Sequence, residues 1–365
     1  MKTLEYQVSF TTPAFLGNAA QEAQWRTPPF KALIRQWWRI VRAPKVGYDV
    51  NRLRADEAAL FGSANPRTGF SRSLVTLRLV DGWKSGSFSN DKWPRGAMRS
   101  ISIAQRQVRA DVYLGFGPIV PASRKQGRAE PVVARDSIAP TVQTNVLRLR
   151  FDALASEDQV AEVTMALRLV AWFGALGSRA RNGWGSLALT NPDTSPVPHT
   201  ISDIAYVCRP VRDALSRLSD WPHAIGLTGE VPTVWIGPKS GERMDAWTDA
   251  VNFLATVRRD IRSTAKDFGR GQDISANQII AYPVTKSGNH VWGDKERIAN
   301  SLRFKVAKVD NRAVPIAVHL PCAVPRPLFD RLSPSDQSWV ESNQSDIWAK
   351  VYETLDSLMS RMSSP

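Results

Sequence analysis

A glycine-rich segment near the middle of the chain constrains the fold more than any other feature. Residues 174–186 read GALGSRARNGWGS. The apolar spacing of residues 160–171 predicts a helix before this segment, and residues 186–189 are typical of a short strand after it. Loops of the Walker and Rossmann types connect a strand to the N-terminal end of a helix. Because this loop leaves a helix and enters a strand, both of those nucleotide-binding classes are excluded.

The composition of this glycine loop, residues 174–186, is typical of an anion-binding site. Glycine permits positive φ angles and close approach of a ligand to the backbone, which favours amide contacts around Gly177 and Ser178. Arg179 and Arg181 supply bidentate guanidinium forks for phosphate, and Trp184 offers a ring on which a base can stack. A helix C-cap that continues into a mobile surface turn is the alternative interpretation.

The charge of the chain favours a polyanionic partner. Its 365 residues carry a net charge of +14, which is typical of proteins that bind nucleic acid or an acidic membrane surface. Residues 1–200 hold 27 Lys and Arg against 15 Asp and Glu, a net +12, whereas residues 201–365 hold 21 against 19, a net +2. We therefore expect binding to centre on the N-terminal half. A basic surface that only keeps the protein soluble is the alternative.

The remaining bulk properties exclude several classes of protein. No run of the sequence approaches the roughly 18 apolar residues of a membrane span, and residues 1–5 lack a signal-peptide core. Cys208 and Cys322 are far from one another and from any pair of histidines, so neither a disulfide framework nor a zinc site is indicated. We expect a reduced cytoplasmic protein with no metal and no cofactor.

A basic amphipathic helix is the second strong feature. Residues 30–42 place a basic stripe, Lys31, Arg35, Arg39 and Arg42, on one face and bulky apolar side chains on the other. No carboxylate lies at i±3 or i±4 to relieve the mutual repulsion of these cations, a deficit that a phosphate ligand would offset. Phosphate binding by the basic stripe is the prediction, and a solvated charged face is the alternative.

The order of predicted elements to residue 190 is strand, helix, strands, helix, loop and strand, which is the order of a split β-α-β sheet. Alternation at residues 4–10 and 146–151 predicts two of the strands, and much of 43–145 resembles an insertion. A proline-bearing linker at 192–198 separates an N-terminal domain, 1–192, from a C-terminal domain, 200–365. In the second domain we expect a strand at 231–236, a helix at 244–262, extended chain at 278–284, a hairpin at 300–320 and a terminal helix at 336–362.

Four local patterns carry a family resemblance. Residues 15–17 read FLG, residues 30–39 read FKALIRQWWR, Glu57 precedes LFGS at 60–63, and the glycine loop follows. In this order they resemble the leucine-glycine turn, the first-helix signature, the next motif and the glycine-rich loop of the RAMP superfamily of CRISPR proteins. Within it they are similar to the family of first subunits of the Cmr, or type III-B, effector complex. Ala32 and Asn182 depart from the family, which commonly has glycine and a basic residue there.

The resemblance implies an α+β fold of two tandem ferredoxin-like (RRM-like, βαββαβ) domains, with the long insertion in the first. It also implies a non-catalytic, RNA-binding subunit that serves antiviral defence within an RNA-guided complex. Its expected partners are the 3′ part of the guide RNA, the target RNA and other Cmr or RAMP subunits, with no membrane. The residues expected to bind RNA lie in the basic stripe and the glycine loop: Lys31, Arg35, Arg39, Arg42, Gly177, Ser178, Arg179, Arg181, Asn182 and Trp184.

Two other functions remain open at the level of sequence. A guide-processing endoribonuclease of the same superfamily needs a general base or acid, usually histidine, beside a cation. His290 is the loop histidine that meets this condition, whereas His319 lies in a strand pattern that favours a satisfied core histidine. Asp294 and Glu296 alternate with cations, which favours a solvated turn over a metal-dependent nuclease. A purely structural assembly subunit is the third possibility.

Overall fold

The computed structural model describes residues 2–64, 69–216, 223–282, 291–293, 295–298 and 300–363. These residues form a mixed α+β protein with several antiparallel sheets, so the predicted α+β class is confirmed. The chain divides into two compact units. The first comprises Met1–His199, Arg243–Asn252 and Phe304–Pro315, and the second comprises Thr200–Glu242, Phe253–Arg303 and Ile316–Pro365.

The regular elements of the described residues alternate along the chain. The helices are α1 Thr27–Arg42, α2 Val50–Phe61, α3 Ala110–Gly115, α4 Glu157–Phe173, α5 Val211–Ser216, α6 Trp247–Thr264, α7 Ala276–Ile280, α8 Arg326–Phe329 and α9 Pro334–Leu358. The strands are β1 Thr3–Phe10, β2 Val75–Leu79, β3 Ser100–Ile103, β4 Arg106–Arg109, β5 Ile119–Val120, β6 Val132–Val133, β7 Thr144–Phe151, β8 Leu187–Thr190, β9 Cys208–Pro210, β10 Ile225–Thr228, β11 Val231–Pro232, β12 Val234–Pro238, β13 Leu302–Val309, β14 Arg312–His319 and β15 Met359–Arg361.

The main sheet of the first unit has the strand order β2-β7-β1-β8, with every neighbouring pair antiparallel. Tyr6, Val8 and Phe10 of β1 are buried, whereas the residues between them are exposed or half-buried. The same alternation runs along β7, because successive side chains of a strand point to opposite faces. One face of this sheet therefore belongs to the core and the other face is polar. The alternation predicted from the sequence for both strands is confirmed.

Helices α1 and α4 pack on one another in the first unit. The Trp37 ring of α1 stacks on Phe173 of α4 with centroids 5.7 Å apart. Ser156 caps α4 as part of a capping box with Gln159, which fixes where this helix begins. Between β2 and β7 the chain forms the hairpins β3–β4 and β5–β6 together with α3, in the segment expected to be an insertion.

A second four-stranded sheet has the order β13-β14-β12-β15. Its strands occur in the chain as β12, β13, β14 and β15, with α6 between the first two and α9 between the last two. Its third strand lies between the second and the first, and its first strand also pairs with the fourth, as in the first sheet. The β13–β14 hairpin turns at Asp310 and Asn311, which both have positive φ, as the predicted hairpin around this pair requires. A further sheet, β11-β10-β9, belongs to the second unit.

Two expectations for the second half of the chain are wrong. The segment expected to be extended from 278 begins within helix α7, because Ser275 caps that helix and its N–H donates to Oε1 of Gln278 at 2.7 Å in a capping box. The terminal helix ends at Leu358 rather than continuing to 362, and Met359–Arg361 pairs with β12 instead. A local cap decides the first of these structures, and long-range pairing with β12 decides the second.

Candidate nucleic-acid interface

The glycine loop is a braced structure that connects α4 to β8. Leu176 N donates to Gly185 O at 2.9 Å, and Leu187 N donates to Gly174 O at 3.0 Å, so the two ends of the loop are tied together. Ser178 N also donates to Phe15 O at 2.9 Å. Gly174 is the C-cap of α4, as the alternative interpretation expects, and backbone hydrogen bonds hold the base and the flank of the loop that follows it.

Two glycines of the loop are required by close backbone contacts. Gly177 has φ +98°, and a Cβ on it would lie 2.6 Å from Phe15 O. Gly185 has φ +60°, and a Cβ there would lie 1.9 Å from Leu176 O. Such distances exclude any side chain. Gly177 and Gly185 are therefore required because other backbone segments pass close to them.

Strand β13 supports the loop from another side within the first unit. Phe304 N donates to Arg181 O at 3.0 Å, and Val306 N donates to Ser186 Oγ at 2.9 Å. Between them, the buried Lys305 ammonium donates to the carbonyl of Ala171 in the last turn of α4, where a cation is favoured by the helix dipole. Burial lowers the pKa of Lys305 to about 7.

Trp184 is a core residue, which corrects the prediction that it stacks on a base. Its side chain is fully buried. The indole contacts Phe15, Trp93 and Trp247 with ring centroids 5.7, 5.5 and 6.0 Å away. Because the side chain has no exposed surface among these partners, Trp184 anchors the loop to the first unit and offers no surface to a nucleotide.

Asn182 is likewise internal, and the prediction that it contacts RNA is wrong. Its side chain is 7% exposed, and Nδ2 donates to Leu114 O at 2.7 Å. The insertion therefore supplies the acceptor for this amide. Asn182 stabilises the loop by a buried hydrogen bond, which explains why a basic side chain is not needed at this position.

The solvent-facing part of the loop is its Ser178–Arg179 corner. Both residues are exposed, and Arg179 has φ +61°. Ser178 lines an open pocket of about 180 Å³ together with residues of the FLG turn and of the insertion: Phe15, Gly17, Asn18, Gln21, Arg135 and Asp136. Arg135 is exposed. Two arginines on different chain segments thus flank the same outward-facing backbone.

An exposed aromatic ring lies near this corner. A Cβ on Gly117 would be 3.6 Å from a guanidinium nitrogen of Arg179. The residue before it, Phe116, is 47% exposed, unlike the buried Trp184. Arg181 is half-buried, and burial lowers its pKa from the usual value. Arg179 is therefore the more accessible arginine of the loop, and Phe116 is the aromatic side chain that solvent reaches.

The charges of the basic stripe are engaged inside the fold. Arg35 Nε donates to Glu57 Oε1 at 2.7 Å, and Arg39 donates to both carboxylate oxygens of Glu57 at 2.8 and 3.0 Å. Glu57 comes from α2 and its side chain is 7% exposed. No carboxylate of α1 itself relieves the repulsion within the stripe, but Glu57 of α2 supplies the counter-charge that was expected from a phosphate.

The two ends of the stripe have partners as well. Arg42 binds Asp56 and Glu162, each at 2.9 Å. Lys31 Nζ donates to Phe61 O at 3.0 Å. Burial, and to a lesser extent the neighbouring Arg35, lower the pKa of Lys31. RNA contact by the four stripe residues stays a prediction, but their charges already serve to hold α1 against α2 and α4.

Of the two histidines weighed in the sequence, His319 lies within the described residues and belongs to the core. His319 is fully buried, with Nδ1 2.7 Å from Tyr352 OH and Nε2 3.0 Å from Ser301 Oγ, which confirms the expected core histidine. Burial lowers its pKa to about 3. His290 and Asp294 lie outside the described residues, while Glu296 forms an ion pair with Arg331 at 2.7 Å. No group of three His, Cys, Asp or Glu that could hold a metal ion occurs in the described ranges.

Three residues in and around the loop were not assigned to this region by sequence reasoning. Arg135 stands among other arginines of the insertion, and nothing local distinguishes it. Phe116 precedes a Gly-Pro pair, a turn signal that says nothing about binding. Lys305 lies in an apolar strand where its burial depends on the end of α4.

In the part of the chain that the structure describes, no helix has the length and apolar character needed to cross a membrane.

The chain is similar to solved structures of CRISPR proteins. The apo form of Cmr1 from Pyrococcus furiosus has 16% sequence identity and a TM-score of 0.47, covering 94% of this chain and 97% of that one. Two chains from structures of the Type III-B Cmr-beta bound to cognate target RNA have identities of 12% and 9% and TM-scores of 0.46 and 0.43. They cover 96% and 95% of this chain and 98% and 99% of their own. No protein-family model and no curated protein matches the sequence.

Proposed function

We propose that this chain is a non-catalytic RNA-binding subunit of a type III-B CRISPR effector complex in the cytoplasm. It contacts the 3′ part of the guide RNA, the target RNA or both, and assembles with other Cmr or RAMP subunits. The observation that carries the RNA-binding proposal is the exposed Ser178–Arg179 corner, held outward by a fully braced loop beside Arg135. The four sequence motifs support the assignment to the effector complex.

The corner is suited to an RNA backbone for three physical reasons. Arginine presents a planar fork that matches phosphate oxygens; Arg135 lines the pocket, and Arg179 follows the lining residue Ser178 in the chain. The loop is already ordered by its hydrogen bonds, so binding has little backbone entropy to remove. Phe116 is exposed and adjoins Gly117, the residue that lies beside the Arg179 guanidinium, and a base stacked on an aromatic ring contributes about 1 to 3 kcal/mol.

The arrangement of both four-stranded sheets supports a tandem ferredoxin-like architecture. In each, the chain order is strand, helix, strand, strand, helix, strand, and the third strand lies between the second and the first. This is the order of the split β-α-β motif. We propose that the first sheet presents the glycine loop after its second helix, as in a RAMP domain.

The test is RNA affinity against salt concentration for Arg135→Gln combined with Arg179→Gln. Each phosphate contact in single-stranded RNA contributes about 0.7 to the slope of log affinity against log salt, so the double variant should lose about 1.4. Arg212→Gln with Arg312→Gln removes the same charge from exposed sites elsewhere and is the matched control. A slope equal to that of the wild type would contradict the proposal and favour a purely structural subunit.

A further inference from the structure

The polar face of the first sheet carries an arginine cluster that the glycine loop does not include. In β2-β7-β1-β8 the helices cover the face that holds Tyr6, Val8 and Phe10, so the opposite face is formed by the alternate residues of each strand. Arg78 of β2 and Arg150 of β7 are exposed on it, and Arg148 of β7 is half-buried.

The register of the strands places two of these cations directly opposite each other. Arg78 is the cross-strand partner of Arg148, and Glu5 of β1 is the partner of Arg148 on its other side. Arg148 forms an ion pair with Glu5. Like charges directly opposite each other destabilise a sheet, and the one carboxylate in this row, Glu5, pairs with Arg148 and not with Arg78.

The next row along the sheet has no carboxylate. Arg150 lies between Thr3 of β1 and Thr76 of β2. Within the described residues, neither Arg78 nor Arg150 makes an ion pair or a side-chain hydrogen bond. Neighbouring strands are about 4.8 Å apart, and residues two apart on one strand are about 6.6 Å apart. The arginines therefore form a compact cationic patch.

The chemistry of the patch points to phosphate rather than to a protein. Protein interfaces have an apolar core enriched in aromatic side chains. The cross-strand rows around the arginines consist of threonine, glutamine and one glutamate, with the half-buried Val146 as an apolar member. Arginine forks bordered by hydroxyl and amide donors match phosphate oxygens and give no base readout.

We propose that this sheet face, centred on Arg78, Arg148 and Arg150, is a second RNA-backbone binding surface, separate from the glycine loop. For its ligand class the inference rests on the proposed RNA-binding function. Contact is sequence-tolerant, because the side chains reach phosphates and the face has no exposed ring for a base. A strand of RNA that crosses β2 and β7 relieves the repulsion between Arg78 and Arg148.

The test uses the full chain with Arg78→Gln and Arg150→Gln, which leaves the ion pair of Arg148 with Glu5 intact. Affinity for a single-stranded RNA of mixed sequence is measured by fluorescence anisotropy between 0.05 and 0.5 M salt. The loss of two phosphate contacts should reduce the slope by about 1.4, so the affinity ratio to wild type changes about 25-fold over this tenfold range. Arg212→Gln with Arg312→Gln should leave the slope near the wild-type value.

The outcomes separate this inference from the proposed function. A changed slope for the sheet variant together with an unchanged slope for Arg135→Gln and Arg179→Gln supports the sheet surface and contradicts the loop site. A wild-type slope for the sheet variant overturns the sheet surface whatever the loop variant does. If that variant also fails to join a copurified complex, the face binds an acidic protein partner, which equally overturns the inference. Circular dichroism and the urea midpoint confirm that the variant is folded.

Discussion

Replacement of Glu57 by glutamine should destabilise the first unit measurably. Glu57 is the buried carboxylate that joins α2 to α1 through Arg35 and Arg39. Glutamine has almost the same shape, so the change removes one charge and replaces an acceptor oxygen by an NH₂ group. That group faces guanidinium donors that it cannot satisfy, and two cations of α1 lose their counter-charge.

The expected size follows from the exposure of the three side chains. Removal of one partner from a buried ion pair costs about 3 to 5 kcal/mol, because the other charge stays buried. Here Glu57 is 7% exposed, but Arg35 and Arg39 are 38% and 22% exposed and can gain water. Solvent screening of the arginines therefore lowers the expectation to about 2 to 3 kcal/mol.

The assay is urea unfolding followed by tryptophan fluorescence, with Glu341→Gln as the matched control. Glu341 is exposed on α9, so its replacement should change the free energy of unfolding by less than about 0.5 kcal/mol. If Glu57→Gln and Glu341→Gln unfolded at the same urea concentration as the wild type, the ion network would not hold α1 to α2. The basic stripe would then regain its interpretation as a surface awaiting phosphate.

Three further changes test the core around the loop and in the second unit. Trp184→Ala should destabilise the protein by about 3 to 5 kcal/mol in urea unfolding, because the ring is fully buried among aromatic partners, and a loss below about 1 kcal/mol would show that it is not an anchor. Lys305 has a pKa of about 7 when folded and 10.5 when unfolded, so the unfolded chain binds more protons between these two values. Wild-type stability should therefore rise from pH 7 to 10.5 relative to Lys305→Met, by at most about 1.4 kcal/mol per pH unit; parallel curves would show that burial does not lower the pKa of Lys305. The pKa of His319 falls from 6.5 in the unfolded chain to about 3 in the fold, so its contribution to stability is complete above pH 6.5 and is lost as the pH falls toward 3. His319→Gln should abolish this pH dependence in acid unfolding. An unchanged acid profile would argue against the neutral core histidine.

Local patterns predicted the elements whose structure depends on local contacts. Strand β1 alternates along eight residues, and α4 carries both its apolar stripe and its cap within its own sequence. That the glycine loop leaves a helix and enters a strand could be predicted from such local patterns alone. The hairpin at Asp310 and Asn311 is equally local, since its turn residues adopt positive φ at modest cost.

Long-range contacts decided what the sequence left undetermined. Trp184 has the composition of an exposed platform, yet it is buried by Trp93 and Trp247, which are distant in the sequence. The basic stripe looked uncompensated because its carboxylates come from α2 and α4 rather than from α1. Residues 243–252 and 304–315 belong to the first unit although they follow it in the chain. Nothing in the sequence of either segment predicts this.

Photo-crosslinking from Ser178 tests the central claim most directly. A photoreactive amino acid replaces Ser178 at the exposed corner of the loop, and in a control protein it replaces the exposed Ser357 at the end of α9. Both proteins are irradiated with single-stranded RNA at low salt and again at 1 M salt, where phosphate contacts are weakened. The account predicts a crosslink from position 178 that disappears at 1 M salt and none from position 357. Equal crosslinking from both positions, or none from position 178 while the RNA is bound, would contradict it.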